Sequence, residues 1–192
     1  MPATAAPRQT ARERLLAAAD ELFYEHGVQT VGIDRIIERA GVAKASLYNT
    51  FGSKDELVRA YLEARHQTRR DAIMATIAPL TSPREKVLAV FDRLATVFAT
   101  TGWRGCAFIN ASAEAAPGSV VDQVAGEYRL WVRSLFRDLV AEAGASDPDA
   151  LARELHLLYD GVGVAARMER DNSAAIVARK AAEALLDATL PR

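Results

Sequence analysis

Gly41-Val42-Ala43-Lys44-Ala45-Ser46-Leu47-Tyr48-Asn49-Thr50-Phe51-Gly52-Ser53-Lys54 is the stretch that most restricts what this chain can be. Leu47 and Phe51 stand four apart, so on a helix they share one face and pack inward on Ile33, Ile36 and Leu22. Lys44, Ser46, Tyr48, Asn49 and Thr50 are then left mostly outward. Such a face has the chemistry that a DNA major groove requires. Lys and Ser donate to phosphate or base edges, Asn pairs bidentately with adenine, and the Thr methyl meets the thymine methyl. A Tyr hydroxyl donates to phosphate. Lys54 opens the following helix, where free backbone N–H groups also attract phosphate. The same pattern fits the polar face of an ordinary small helical subdomain, because helix-turn-helix periodicity is degenerate. Tyr48 outward beside Phe51 inward favours the groove reading.

Working outward, Ile33 to Ala40 reads as a short helix that presents Ile33, Ile36 and Ile37 to a core, with Gly32 as its N-cap. Two short helices joined through Gly41–Val42 form a helix-turn-helix. Thr10 to His26 reads as the helix before them. Leu15, Ala19, Leu22 and His26 recur at helical spacing, with Ala18 and Phe23 widening the stripe. Thr10 and Glu13 suit a capping box, and Gly27 suits a left-handed stop. Ser53 caps a long helix whose first turn holds Asp55 and Glu56 and whose apolar positions include Leu57, Tyr61, Leu62 and Ile73, to about Ile77. Further helices are predicted from Pro83 to Phe98, about Cys106 to Ala116, Ser119 to Ala143, Pro148 to Arg170 and Ser173 to Leu190, with a break at Asp171–Asn172. Val, Ile and Thr never alternate between turn residues, so no strand is predicted and the fold class is all-α. The expected organisation is a helix-turn-helix unit over 1–54, with an arm over 1–9, and a C-terminal helical domain over 55–192.

The chain has 192 residues, 50% of them apolar, with 24 Lys plus Arg against 25 Asp plus Glu and one Cys. Wholesale disorder is disfavoured by that composition, and Cys106 alone supports neither an internal disulfide nor a cysteine zinc cluster. His26, His66 and His156 are scattered without metal spacing, so neither a metal nor a cofactor is expected. The net charge of −1 offers no whole-molecule attraction for nucleic acid. From Arg39 through Lys54, however, Arg39, Lys44 and Lys54 are accompanied by no acid, which makes a local positive surface. The first apolar run, Leu15 to Ala19, is too short for a signal-peptide core, and no membrane span is seen, so a cytoplasmic protein with no membrane partner is expected.

Together with Phe23, Gly27, Ile33-Asp34 and Ile36, the run from Ala40 to Leu57 resembles the TetR family of bacterial transcriptional regulators. Arg104-Gly105-Cys106-Ala107-Phe108-Ile109-Asn110 is similar to a segment that recurs in some C-terminal effector domains of that family. The resemblance implies a homodimeric repressor of a palindromic double-stranded operator, with a C-terminal domain that binds a small-molecule effector. It implies DNA contacts at Lys44, Ala45, Ser46, Tyr48, Asn49, Thr50 and Lys54. Four positions depart from the family pattern. Val31 and Gly32 stand where hydroxyl residues are common, Ala43 replaces a frequent Ser cap, and Thr50 stands where His is frequent.

A single helix-turn-helix makes few base contacts, and two-fold dimers solve this by reading two half-sites. The expected interface is a stripe of Leu151, Leu155, Leu158 and Val162 with a second of Ile176, Val177, Ala181, Ala184, Leu185 and Ala188. Amphipathic stripes also pack inside a protomer, which is the competing reading. For an apolar ligand cavity with a few polar groups, the candidates are Trp103, Phe108, Asn110, Tyr128, Trp131, Tyr159 and Met168. Cys106 suits an oxidant sensor or, more simply, a small buried apolar side chain. No phosphate loop, nucleophile elbow or metal-ligand cluster points to an enzyme. A ligand carrier with a vestigial helix-turn-helix is the remaining alternative.

Overall fold

The computed structural model describes residues 9–171 and 173–191. Most of the expected arm, and Asn172 at the expected break, lie outside the described residues. The described chain holds α1 (Ala11–His26), α2 (Ile33–Ala40), α3 (Lys44–Phe51), α4 (Lys54–Ile77), α5 (Pro83–Phe98), α6 (Ala107–Ser112), α7 (Val120–Glu142), α8 (Pro148–Glu169) and α9 (Ser173–Thr189), with no strand among the described residues. Only α6 is clearly shorter than expected. After Ser112 the chain loosens into i→i+3 turns, Glu114 N to Ala111 O and Ala115 N to Ser112 O, as it nears Pro117–Gly118.

Local chemistry sets the helix ends. The Thr10–Glu13 capping box closes α1, and Ser53 accepts from Glu56 N to start α4. The turn between α2 and α3 is a Schellman stop. Gly41 takes φ 62°, Gly41 N donates to Glu38 O at 3.1 Å, and Val42 N donates to Ile37 O at 3.1 Å. Arg14 of α1 then holds that turn, its Nη1 donating to Ala40 O at 3.2 Å and Gly41 O at 2.9 Å. The orientation of α3 is thereby tied to α1.

α1 packs on α2, α3 and α4. Leu15, Ala19, Leu22, Ile36 and Leu47 form the centre of that small unit, all buried. His26 departs from the expected stripe: it is exposed at the end of α1, with Nε2 2.8 Å from Arg35 Nη2. The first turns of α4 complete the same core, with Tyr61 5.5 Å from the Phe23 ring. Further along, α4 packs on α5 and α7, while α5, α7, α8 and α9 enclose the larger core.

The two expected dimer stripes divide. Leu151, Leu155 and Val162 are buried inside the protomer, and Leu158, Ala181 and Leu185 are partly buried there. The reason is that α8 is apolar on two sides and its leucine stripe fills the space against α7 and α9. Its outer row is instead Leu157, Gly161, Val164 and Met168, with Leu157 75% and Met168 78% exposed. On α9, Ile176, Val177, Ala184 and Ala188 remain exposed.

Candidate nucleic-acid interface and interior cavity

α3 separates into two faces as its sequence implies. Leu47 is fully enclosed and Phe51 partly so, with the Arg12 guanidinium 5.5 Å above the Phe51 ring. Lys44, Ala45, Tyr48, Asn49 and Thr50 are exposed, and Ser46 is partly buried. Two polar groups are not free. Thr50 Oγ1 donates to Ser46 O at 2.6 Å, and Lys44 Nζ lies 3.0 Å from Asp34 Oδ1. Asp34, through its hydrogen bond and its charge, raises the Lys44 ammonium above its ordinary pKa, so Lys44 is a cation throughout the physiological range. Ala43 gives α3 no side-chain cap, and Ser46 N is bonded to Ala43 O at 2.9 Å instead. Lys54, partly buried at the start of α4, places its Nζ 6.0 Å from the Phe23 ring.

The larger core contains a cavity of about 210 Å³ between α4, α5, α6 and α8. Its apolar wall includes Ile73, Leu94, Val97, Phe98, Trp103 and Ile109. A wider cleft of about 900 Å³ lies beside it and shares Tyr24, Phe98, Trp103, Cys106, Ile109 and Gly163.

The expected ligand residues fall into three groups. Trp103 and Tyr159 line the cavity; Trp103 also borders the cleft, together with Asn110 and Met168. Asn110 there accepts a hydrogen bond from Arg167 and donates to Arg104 O at 3.0 Å, so it braces the Arg104–Gly105 bend. Phe108, Tyr128 and Trp131 line neither space. Phe108 and Tyr128 stack on each other at 4.0 Å, behind the wall, and Trp131 packs beside His66 at 5.6 Å.

Three arginines escaped the sequence reading: Arg65, Arg69 and Arg93 all line the cavity. A signal for two of them was present. Tyr61, Arg65, Arg69, Ile73 and Ile77 make one i,i+4 row of α4, so charges interrupt an otherwise buried apolar row. Arg65 is neutralised by Asp20, with Nε to Oδ1 at 2.6 Å, and lies 3.9 Å over the Tyr24 ring. Arg69 Nη1 donates to Tyr128 Oη at 3.2 Å and approaches Cys106 Sγ at 3.7 Å. Tyr128 and Tyr159 hydroxyls are 2.9 Å apart, and burial raises the pKa of both phenols, keeping them neutral.

Tyr24 links the small unit to the cavity. Its hydroxyl accepts from Arg104 N at 2.8 Å and donates to Gly105 O at 3.0 Å, while its side chain lines the cavity.

The family described as bacterial regulatory proteins, tetR family, matches residues 15–61. The transcriptional regulator AcuR of Cereibacter sphaeroides is 31% identical over 175 residues, covering 83% of this chain and 77% of that protein. A crystal structure of a TetR-family transcriptional regulator from Streptomyces coelicolor superposes with a TM-score of 0.88 at 33% identity, covering 93% of this chain and 95% of that one. The HTH-type transcriptional activator FasR of Mycolicibacterium smegmatis is 35% identical over 86 residues, and the chain spans 39% of its length. For the HTH-type transcriptional regulator TtgR of Pseudomonas putida the spanned share is 43%.

Proposed function

Because this chain belongs to the TetR family of bacterial regulatory proteins, we propose that it binds operator DNA as a homodimer and is controlled by a small molecule held in the α4–α8 cavity. The observation that carries the reading is the exposed face of α3, where Lys44, Ala45, Tyr48, Asn49 and Thr50 stand together above the enclosed Leu47. Tyr48 and Lys54 serve phosphates, and Asn49 reads a base edge. Lys44 reaches DNA only after leaving Asp34. The domain division falls at the start of α4, with residues 55–192 forming the effector and dimerisation part.

The dimer face is the outer row of α8, Leu157, Gly161, Val164 and Met168, with Ile176 and Val177 of α9. Exposed apolar residues in such a contiguous row mark an association surface. Two-fold pairing sets the recognition helices about one DNA turn apart, roughly 34–36 Å. A ligand in the cavity presses on Tyr24 and the Arg104–Gly105 bend, moves α1 with its clamped turn, and shifts that spacing. The dimer then releases its operator, so the ligand derepresses. No described helix is long and apolar enough to cross a membrane, which suits a cytoplasmic regulator.

Fluorescence anisotropy with the DNA upstream of the protein's own gene tests this. A salt-sensitive, sequence-preferring complex of two protomers per site is expected, weakened by effector. An absence of such a complex leaves the carrier alternative. Tightening by effector, in keeping with a similar protein named as an activator, reverses the regulatory sign.

A further inference from the structure

We infer that the cavity selects a compact organic anion, whose charged end pairs with Arg69 and whose apolar body lies against Ile73, Leu94 and Trp103. This rests on the reading of that cavity as the effector site.

Charge is the first argument. Of the three arginines on the wall, Arg65 is answered by Asp20, but Arg69 and Arg93 have no ion pair among the described residues. The one acid on the wall, Asp160, is already engaged, 2.8 Å from Arg129 and 3.7 Å from His156. A cation removed from water without a counter-ion is costly, so an incoming anion gains more there than at the surface.

Hydrogen-bond direction is the second argument, and it is independent of the first. Arg69 can only donate, so Tyr128 Oη accepts from it. The Tyr128 and Tyr159 hydroxyls lie 2.9 Å apart, where either can donate to the other, so one of the two O–H groups is left without an acceptor among the described residues. Tyr159 lines the cavity. Trp103 lines the same space, and its Nε1–H is buried with no acceptor among the described residues. Trp103 thus brings a buried donor with no acceptor among the described residues, and Arg69 and Tyr159 bring further N–H and O–H groups to the same wall. A ligand rich in acceptors satisfies them; a cation or a donor-rich amine does not.

Size is the third argument. About 210 Å³ is smaller than cavities that hold drug-sized ligands. It suits a short branched or single-ring carboxylate or sulfonate.

The test uses the full chain, with thermal shift and tryptophan fluorescence as readouts. The probes are benzoate, benzenesulfonate and 2-methylbutyrate, set against neutral benzamide, cationic benzylamine and chloride at equal ionic strength. Saturable binding by the organic anions alone is expected. Arg69→Met should weaken it by ~30-fold or more, as expected for a truncated charge pair, while Arg69→Lys keeps part of it. Tyr159→Phe, which preserves packing, should cost about fivefold and covers the case in which Arg69→Met fails to fold. Benzamide binding as tightly as benzoate, or benzoate binding unchanged in both Arg69→Met and Tyr159→Phe, overturns the anion assignment while leaving the cavity a ligand site. An equal response to chloride overturns selection for an organic anion. No response to any probe overturns the anion assignment and the cavity reading together. Arg69-dependent anion binding that leaves the operator complex unchanged supports the anion site and overturns its effector role.

Discussion

α3 and α8 put apolar residues to different uses. In α3 the enclosed side is narrow: Leu47 is buried, Phe51 and Ser46 partly so, and Lys44, Tyr48, Asn49 and Thr50 point out. In α8 two sides are apolar, one facing α7 and α9 and one facing out through Leu157 and Met168. Polarity therefore predicts direction on α3 but not on α8. A helix with one apolar side has a single way to be buried; a helix with two needs its neighbours to decide which side is inner.

The largest effect should separate the two sides of α8. Leu155→Ala is expected to lower protomer stability by about 2–5 kcal/mol in urea denaturation, because it empties a filled core. Leu157→Ala should stay within about 0.5 kcal/mol for the protomer and act instead on association, seen by sedimentation. Equal effects on folding would erase the distinction between the two sides.

Next comes the reading face of α3. Tyr48→Ala should weaken DNA binding at every sequence without lowering Tm. Asn49→Ala should cost about 1–3 kcal/mol at one base position and relax preference there. Uniform loss for both would reduce this face to a charged surface.

Smaller still, Ala43→Ser should stabilise the protein by about 1 kcal/mol by capping α3, as Ser53 already does for α4. Thermal denaturation reads this directly.

The smallest effect is with pH and belongs to the C-terminal part. Burial, reinforced by the Arg70 charge, holds His66 below its ordinary pKa. Burial does the same for His156, with Asp160 opposing. The native state then binds fewer protons than the unfolded one. Their contribution is fully present above the ordinary histidine pKa of ~6.5 and is lost as pH falls below it toward the depressed folded values. Tm measured from neutral to mildly acid pH should fall, and His66→Gln should flatten part of that slope.

The helix-turn-helix was legible because its signals are local: the Gly41 stop, the Leu47–Phe51 spacing and the Thr10–Glu13 box each act within a few residues. The cavity was half legible. Trp103 and Tyr159 could be chosen as large amphipathic side chains, but Phe108 and Tyr128 share that chemistry and stack together behind the wall. Their separation depends on contacts between helices distant in sequence. Arg69 was missed because a charge on a long helix reads as a solvated position unless its i,i+4 neighbours are followed. The inner leucines of α8 were misassigned for the reason the α3 comparison exposes.

Tyr24 sits on α1, yet its hydroxyl is held by the backbone of Arg104 and Gly105 beside the cavity. On the proposed function, a side chain that joins the helix-turn-helix unit to the cavity wall carries influence both ways: by whatever factor a ligand weakened the hold on DNA, DNA would weaken the hold on ligand. Extra operator copies would then oppose the ligand through that coupling, without competing for its cavity. The dose needed to flip half of the population would rise with the number of DNA sites, so gene copy number would tune the sensitivity of such a switch without any change in the protein.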